Sequence, residues 1–154
     1  MEETITLDMF KKSMLTSVSG HLDMLMKRKK RNIAFPQEKQ EQAIELVFKI
    51  SELYKLSPFD VASSKRSREL VFARCILTVE LLRKYYTKTN IGVVLFHGHA
   101  AIVYSVKNHL KLIKTKNKEY QGCLGHYKNY LKEMGFDKIS INDQPSGVSL
   151  FCYQ

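Results

Sequence analysis

The sequence predicts an all-α protein, and three observations support that class. Its 154 residues include only three prolines and seven glycines, so few positions interrupt a helix. Apolar residues recur every three or four positions through most of the chain, which is the spacing of amphipathic helices. The apolar share of 44% is ordinary for a globular protein and is sufficient for one hydrophobic core.

The first predicted helix lies near the N-terminus. Its apolar stripe consists of Leu7, Phe10, Met14, Val18, Leu22 and Leu25. Residues 17–20 end in a glycine and are a candidate break in this helix. Five consecutive basic residues follow at positions 27–31. They are either a solvated hinge before the next helix or an arm that follows a phosphate backbone or enters a minor groove.

Three further helices and a basic loop are predicted between residues 43 and 86. The first of them carries the stripe Ala43, Leu46, Val47, Ile50, Leu53 and Tyr54. Ser57 and Pro58 are typical of a helix start and predict a short helix over residues 59–62. A polar basic loop over residues 63–68 separates it from a long helix over residues 69–86. The long helix is expected to bury Phe72, Cys75, Ile76, Val79, Leu82 and Tyr86.

Residues 90–114 predict two elements joined by a tight turn. Residues 90–96 form a short apolar helix or, because Val93 and Val94 are β-branched, a strand. The turn is His97, Gly98 and His99, and a helix over residues 100–114 follows. This helix is expected to bury Ile102, Val106, Leu110 and Ile113. By the same helical spacing, the opposite face of this helix consists of Ala100, Tyr104, Lys107, Lys111 and Lys114.

The last predicted helix carries Tyr120, Leu124, Tyr127, Leu131 and Met134, although two glycines weaken it. The remaining residues alternate apolar and polar side chains around a turn cluster at 143–147, which predicts a β-hairpin. We therefore expect a helical extension over residues 1–35, a central domain over residues 36–116, and a C-terminal helix with a hairpin over residues 117–154.

The basic residues are concentrated in one region. Residues 61–118 contain twelve lysines and arginines but only two carboxylates, so this stretch alone accounts for the formal net charge of +10. A localised basic surface attracts polyphosphates, because each neutralised phosphate releases condensed counterions. The pattern indicates nucleic-acid binding. No aromatic-studded sheet is predicted, so double-stranded DNA is a stronger candidate than RNA.

The short apolar element, the glycine-containing turn and the basic helix together predict a helix-turn-helix motif. In that motif the first residues of the second helix reach base edges in the major groove. The corresponding residues here are His99, Ala100, Ala101 and Tyr104, and the three lysines of the same face are expected to contact the backbone. Two simpler interpretations remain open, because His99 could cap the helix and the lysines could form a solvated face.

Three segments of the central region resemble a known family. They read ISELYKLSPFDV over residues 50–61, SKRSR over residues 64–68 with Arg74 in the next helix, and HAAIV over residues 99–103. Together, residues 44–115 resemble the C-terminal DNA-binding domain of the bacterial chromosomal replication initiator DnaA. The resemblance implies a Trp-repressor-like helical bundle that contains a helix-turn-helix.

The resemblance also implies roles for individual residues. Arg66 best matches the loop arginine that this family inserts into the minor groove. Arg74 and residues 99–101 match positions that face the major groove, and we expect Lys65, Arg68 and His97 beside them to join the DNA-binding surface. The family's Gly-Gly-Arg-Asp-His-Thr-Thr stretch is shortened here to HGHAA. Alanine can contact a thymine methyl but cannot hydrogen-bond a base, so phosphate contacts should persist while base contacts are reduced.

Other chemistries find little support in the sequence. No Gly-x4-Gly-Lys-Ser/Thr loop is present, so neither a nucleotide nor another cofactor is expected. The basic region lacks clustered carboxylates and Cys75 lies on an apolar stripe, so we expect no enzymatic activity. His97 and His99, with Cys75 or His109, do not match a zinc-binding spacing, so we expect no metal.

The sequence also predicts a cytoplasmic location. The N-terminus lacks the basic and apolar regions of a signal peptide, and no apolar run approaches the roughly 20 residues that span a bilayer. The three cysteines are odd in number and widely spaced, which is typical of reduced thiols.

These observations predict a non-enzymatic double-stranded-DNA-binding protein that regulates replication or transcription. A homodimer is compatible with this interpretation, because helix-turn-helix proteins often pair on two half-sites. The alternative is a protein-interaction or dimerisation adaptor on an inherited helix-turn-helix scaffold. In that case the stripe of the first helix and the terminal hairpin would bind a partner.

Overall fold

The computed structural model describes residues 5–133, which form seven α-helices. They are α1 (Leu7–Lys29), α2 (Gln37–Leu53), α3 (Pro58–Val61), α4 (Arg68–Arg83), α5 (Lys88–Leu95), α6 (His99–Lys114) and α7 (Lys118–Glu133). No strand occurs within the described residues, and the predicted all-α class is confirmed. The predicted C-terminal hairpin, Met134 and Cys152 lie outside this range.

The central helix of the bundle is α4, which packs against α2, α6 and α7. Its predicted stripe is buried at Phe72, Cys75, Ile76 and Val79, whereas Leu82 is partly exposed. The prediction of a single buried face was too narrow, because other sides of the helix are buried as well, at Ala73, Leu77 and Leu81. A helix that is surrounded by neighbours has no solvent face, so its apolar residues are not confined to one stripe.

One ion pair lies inside this core. Arg83 hydrogen-bonds both carboxylate oxygens of Glu80, with 3.1 Å between Nε and Oε2, and both side chains are almost completely buried. Lys84 approaches the same carboxylate at 3.8 Å from its more exposed position. A buried carboxylate without a partner is strongly destabilising, so Arg83 is what allows Glu80 to occupy the core.

The first helix is continuous and shares this core. It begins at the cap Thr6, whose side chain accepts a hydrogen bond from the Met9 amide, and it ends at Lys30 in the left-handed region. The candidate break at residues 17–20 is absent, because Phe10, Met14, Val18 and Leu22 are buried along the whole length of the helix. One exposed glycine costs only about 1 kcal/mol of helix stability, and this continuous packing outweighs it.

Described residues from all three predicted parts of the chain contribute to one hydrophobic core. Residues 5–35 supply the α1 stripe and Phe35, and α7 supplies Tyr120, Leu124 and Tyr127. The α1 stripe is therefore covered by the protein itself and is not an open surface for a partner, as the adaptor interpretation had required. The three-part division of the chain remains a prediction.

The packing of α6 differs from its predicted stripe at two positions. Ile102 and Ile113 are buried as expected, but Val106 and Leu110 are only partly buried, and His109 is completely buried between them. His109 Nδ1 hydrogen-bonds the hydroxyl of Tyr120 on α7, which is also fully buried. A polar pair of this kind satisfies both groups inside the core, and apolar periodicity cannot identify it.

Residues 90–95 are helical rather than extended, since α5 covers Lys88–Leu95. Phe96, His97 and Gly98 connect it to α6, and the two helices differ in direction by 101°. Gly92 makes this connection possible, because a Cβ atom at that position would lie 2.4 Å from the backbone oxygen of His97. Within residues 5–133 no single helix is long and apolar enough to cross a membrane.

The close approach at Gly92 gives a stability prediction. Gly92→Ala should lower the free energy of unfolding by about 1–3 kcal/mol, because the new methyl group must displace the backbone of the turn. Urea denaturation followed by circular dichroism measures this change.

Gly122→Ala is the matched control. Gly122 lies inside α7, and a Cβ atom there would meet nothing within 4 Å. This variant should be stabilised by up to about 1 kcal/mol through helix propensity alone. Equal effects at both positions would contradict the steric explanation.

Candidate nucleic-acid interface

The basic loop between α3 and α4 is ordered by its own serines. Ser63 Oγ donates to the Asp60 carbonyl at 2.6 Å and accepts from the Lys65 amide at 3.2 Å. Ser67 then caps α4, because its side chain accepts a hydrogen bond from the Leu70 amide. The loop thus holds Lys65, Arg66 and Arg68 in exposed positions at the start of α4.

Arg74 lies beneath the loop and not on the surface. Its guanidinium donates from Nε to the Val61 carbonyl and from Nη2 to the Asp60 carbonyl, both at 2.8 Å, and the residue is 5% exposed. Burial lowers its pKa, and the neighbouring Arg66 cation lowers it further. In this conformation Arg74 satisfies carbonyl groups at the end of α3, so it positions the loop.

His97 joins the turn to the loop. Its Nε2 lies 2.8 Å from the Ser63 carbonyl, so this nitrogen carries the proton and donates. Burial lowers the pKa of His97, and the Arg74 and Arg66 cations act in the same direction, whereas the Ser63 hydrogen bond opposes the shift. The Arg66 cation acts electrostatically on both His97 and Arg74, although the turn is about 30 residues further along the chain.

The turn is also supported from the other side, by α1. Phe96 occupies the left-handed region at a φ of 57°, and its ring stacks on His21 with 5.4 Å between centroids. His21 Nδ1 in turn lies 3.1 Å from the Val93 carbonyl of α5. The sequence analysis assigned no role to His21, because the contact joins residues that are more than 70 positions apart.

The outer face of α6 has the predicted composition. Ala100, Tyr104, Lys107, Lys111 and Lys114 are all exposed, and Tyr104 retains 64% of its accessible surface. His99 is also exposed at the first position of the helix, whereas Ala101 is partly buried. No side chain from residues 5–133 caps this helix, and its first turn contains no acidic residue, so its positive end is not compensated by the described part of the chain.

The structure brings most, but not all, of the predicted residues together. Arg66, His97 and the start of α6 lie around the junction of loop and turn, and the lysines extend from it along α6. Lys65 and Arg68 each pair with a carboxylate: Lys65 Nζ lies 2.9 Å from Asp60 Oδ1, and Arg68 Nη1 lies 2.9 Å from both oxygens of Glu119. Among residues 5–133, no carboxylate pairs with Arg66.

Metal binding has no cluster of ligands in this part of the chain. Within the described residues, no group of three histidine, cysteine, aspartate or glutamate side chains could hold a metal ion. Cys75 is buried beside Asn108, whose amide donates to its sulfur at 3.6 Å, and burial raises the pKa of the thiol to about 11. This cysteine therefore stays protonated at neutral pH.

The described part of the chain is thus an all-helical bundle with a basic loop beside a sharp helical turn. Over 106 residues it is 32% identical to the chromosomal replication initiator protein DnaA of Thermosipho melanesiensis, and the match covers 68% of this chain. DnaA of Thermosipho africanus is 30% identical over 108 residues, which is 70% of this chain.

These similarities cover only a part of each relative. The chain spans about a fifth (22%) of the length of both curated DnaA proteins that it matches. They are consistent with a DnaA-related domain, as the resemblance in the sequence indicated. No family model matches the chain, and no solved structure matches it significantly.

The buried position of Arg74 predicts that replacing this residue lowers the stability of the fold, whereas replacing an exposed loop arginine does not. Arg74→Ala should lower the free energy of unfolding by about 1–3 kcal/mol, because two backbone carbonyls lose their donor. Thermal or urea denaturation measures the loss. The exposed Arg66→Ala variant is the control and should change stability by less than about 0.5 kcal/mol. An Arg74 variant as stable as the Arg66 variant would contradict the positioning role.

The environment of His97 predicts a pH-dependent stability. Because its folded-state pKa is below the ordinary value of about 6.5, the unfolded chain takes up this proton first as the pH falls. The stabilisation is therefore complete above that value and is lost as the pH decreases through it. Urea midpoints measured between about pH 7.5 and 5.5 should fall more for the wild type than for His97→Gln, which keeps an N–H donor but does not titrate. Parallel pH profiles of the two proteins would refute the assignment.

Proposed function

We propose that this chain is a non-enzymatic, double-stranded-DNA-binding protein. The residues from α5 to α6 act as a helix-turn-helix of the kind found in the C-terminal domain of DnaA, within a Trp-repressor-like bundle. The α6 N-terminus enters the major groove, and the basic loop reaches the neighbouring backbone and minor groove. The protein then regulates replication or transcription from a cytoplasmic location, and it requires neither a nucleotide nor another cofactor.

The observation that carries this proposal is the hydrogen bond between His97 and the Ser63 carbonyl. It joins the basic loop to the turn that precedes α6, and this supports the proposal that the loop and α6 bind DNA together. The interhelical angle of 101° and the three-residue turn also lie within the range of helix-turn-helix motifs, which is about 90–120° with a turn of about three or four residues. Similarity to proteins named as chromosomal replication initiators supports the same assignment.

The proposed contacts follow from exposure. His99 and Ala100 are exposed at the N-terminus of α6, which is the proposed recognition helix. Ala101 beside them is partly buried, and the exposed Tyr104 lies one turn further along. Lys107 and Lys111 continue the same face and suit phosphate groups. Arg66 is the loop residue proposed for the minor groove, where a cation gains from the negative potential. The family resemblance assigned Arg74 to the major groove, but its hydrogen bonds to the Asp60 and Val61 carbonyls give it a supporting role beneath the loop.

Several features favour binding over catalysis. Glu69 is exposed on α4, and Glu80 is buried against Arg83, so the two carboxylates of the basic region do not form an acid–base pair. The buried thiol of Cys75 is not a nucleophile at neutral pH. A protein-interaction adaptor remains the alternative, although the buried α1 stripe removes one of the surfaces proposed for it.

The decisive experiment is selection of bound duplexes from a random double-stranded DNA pool. It should be performed at about 0.15 M salt, because purely electrostatic binding is suppressed under that condition. An enriched motif is expected, and its comparison with the sequence bound by a DnaA protein tests the effect of the shortened turn. Failure to retain any duplex, at this salt concentration and below it, would refute the proposal and favour the adaptor.

Arg66 provides the sharpest mutational test. Arg66→Ala should weaken duplex binding by about 1–3 kcal/mol and reduce the slope of log K against log salt by about 0.9, because one phosphate or minor-groove contact is lost. Fluorescence anisotropy at several salt concentrations measures both quantities.

Lys12→Ala removes the same charge from an exposed site on α1 and is the matched control. It should leave both the affinity and the salt slope near the wild-type values. Two variants with equal losses would indicate that net charge, and not the loop, determines binding.

A further inference from the structure

Two of the three exposed loop cations are compensated by carboxylates from other elements. Asp60 of α3 pairs with Lys65, and Glu119 of α7 pairs with Arg68. The second pair is the more informative, because Glu119 lies 51 residues from Arg68 in sequence and directly follows the lysine-rich segment that ends at Lys118. A carboxylate is thus placed beside the surface that is proposed to bind DNA.

Stability does not require this pair. The two side chains are 65% and 62% exposed, and ion pairs at such sites contribute little to folding. The buried residues Tyr120, Leu124 and Tyr127 already pack α7 into the core. The pair therefore needs an explanation other than attachment of the helix.

The distances in the pair are those of a charge-assisted hydrogen bond. Arg68 Nη1 lies 2.9 Å from both carboxylate oxygens of Glu119, within the usual range for a guanidinium with an oxyanion. The pairing raises the pKa of Arg68, and the adjacent Glu69 contributes weakly in the same direction. Because the site is open to solvent, a phosphate oxygen could displace Glu119 without rearranging the core.

We propose that Glu119 is an autoinhibitory residue that competes with DNA phosphates for Arg68 and weakens duplex binding. This inference rests on the proposed DNA-binding function. A duplex must displace Glu119 before a phosphate can contact Arg68, so the competition lowers duplex affinity whether or not the sequence is also read by α6. Glu119 thereby limits the total affinity for DNA.

The test compares Glu119→Gln with Glu133→Gln, which removes the same charge from an exposed site at the other end of α7. The two positions are about 21 Å apart along the helix at a rise of about 1.5 Å per residue. That separation is about two and a half Debye lengths at 0.15 M salt, so the control should be screened from Arg68.

Binding is measured by fluorescence anisotropy with a labelled duplex of arbitrary sequence, about 20 base pairs long, and with any motif obtained by selection. Glu119→Gln should bind the arbitrary duplex roughly 3- to 10-fold more tightly, with a salt slope steeper by up to about 0.9. The gain should be similar for the selected motif, because the same phosphate contact is made in both complexes. Glu133→Gln should match the wild type, and adding Arg68→Ala to Glu119→Gln should abolish the gain.

The outcomes separate this inference from the proposed function. Wild-type binding without a gain in Glu119→Gln would overturn the inference alone. A gain that persists after Arg68→Ala would also overturn it, because Glu119 would then act through the general field. Absence of duplex binding in every variant would overturn both the inference and the proposed function.

Discussion

The arrangement of the candidate interface depends on how the backbone carbonyls of residues 60–63 are satisfied. Arg74 donates to Asp60 and Val61 from within the bundle, and His97 donates to Ser63 from the turn. Carbonyls in a partly buried loop need donors, and these two side chains provide them. The requirement fixes the basic loop against the turn, so the cations of the loop and the first residues of α6 face solvent together.

A second constraint acts on the turn itself. The His97 carbonyl approaches Gly92 too closely for any other residue, and Phe96 adopts a left-handed conformation that is rare for a bulky side chain. The strain of Phe96 is offset by its stacking on His21, so α1 contributes to the geometry of the interface. The N-terminal helix is therefore part of the supporting structure of the site.

Ion pairing reduces the positive charge that the basic region presents to solvent. The region from residue 61 to 118 contains a large excess of cations, yet Lys65 and Arg68 face nearby carboxylates in the folded chain. Composition alone overstates the positive charge that is available to a polyphosphate. Arg66, which pairs with no carboxylate among residues 5–133, and the lysines of α6 define the available charge more accurately than the total does.

The sequence by itself determined the helices, their approximate limits and the exposed basic face of α6. Helical periodicity and capping residues are local, so one chain contains the necessary information. The tertiary structure decided the burial of Arg74 and His109, the support of the turn by His21, and the pairing of Arg68 with Glu119. These features join residues that are between 11 and 75 positions apart in the sequence. The Arg68–Glu119 bonds, for example, span 51 residues. No local sequence pattern encodes such partners. The sequence does not show whether a charged or polar residue contacts solvent, a carbonyl or a carboxylate, because only packing selects among these partners.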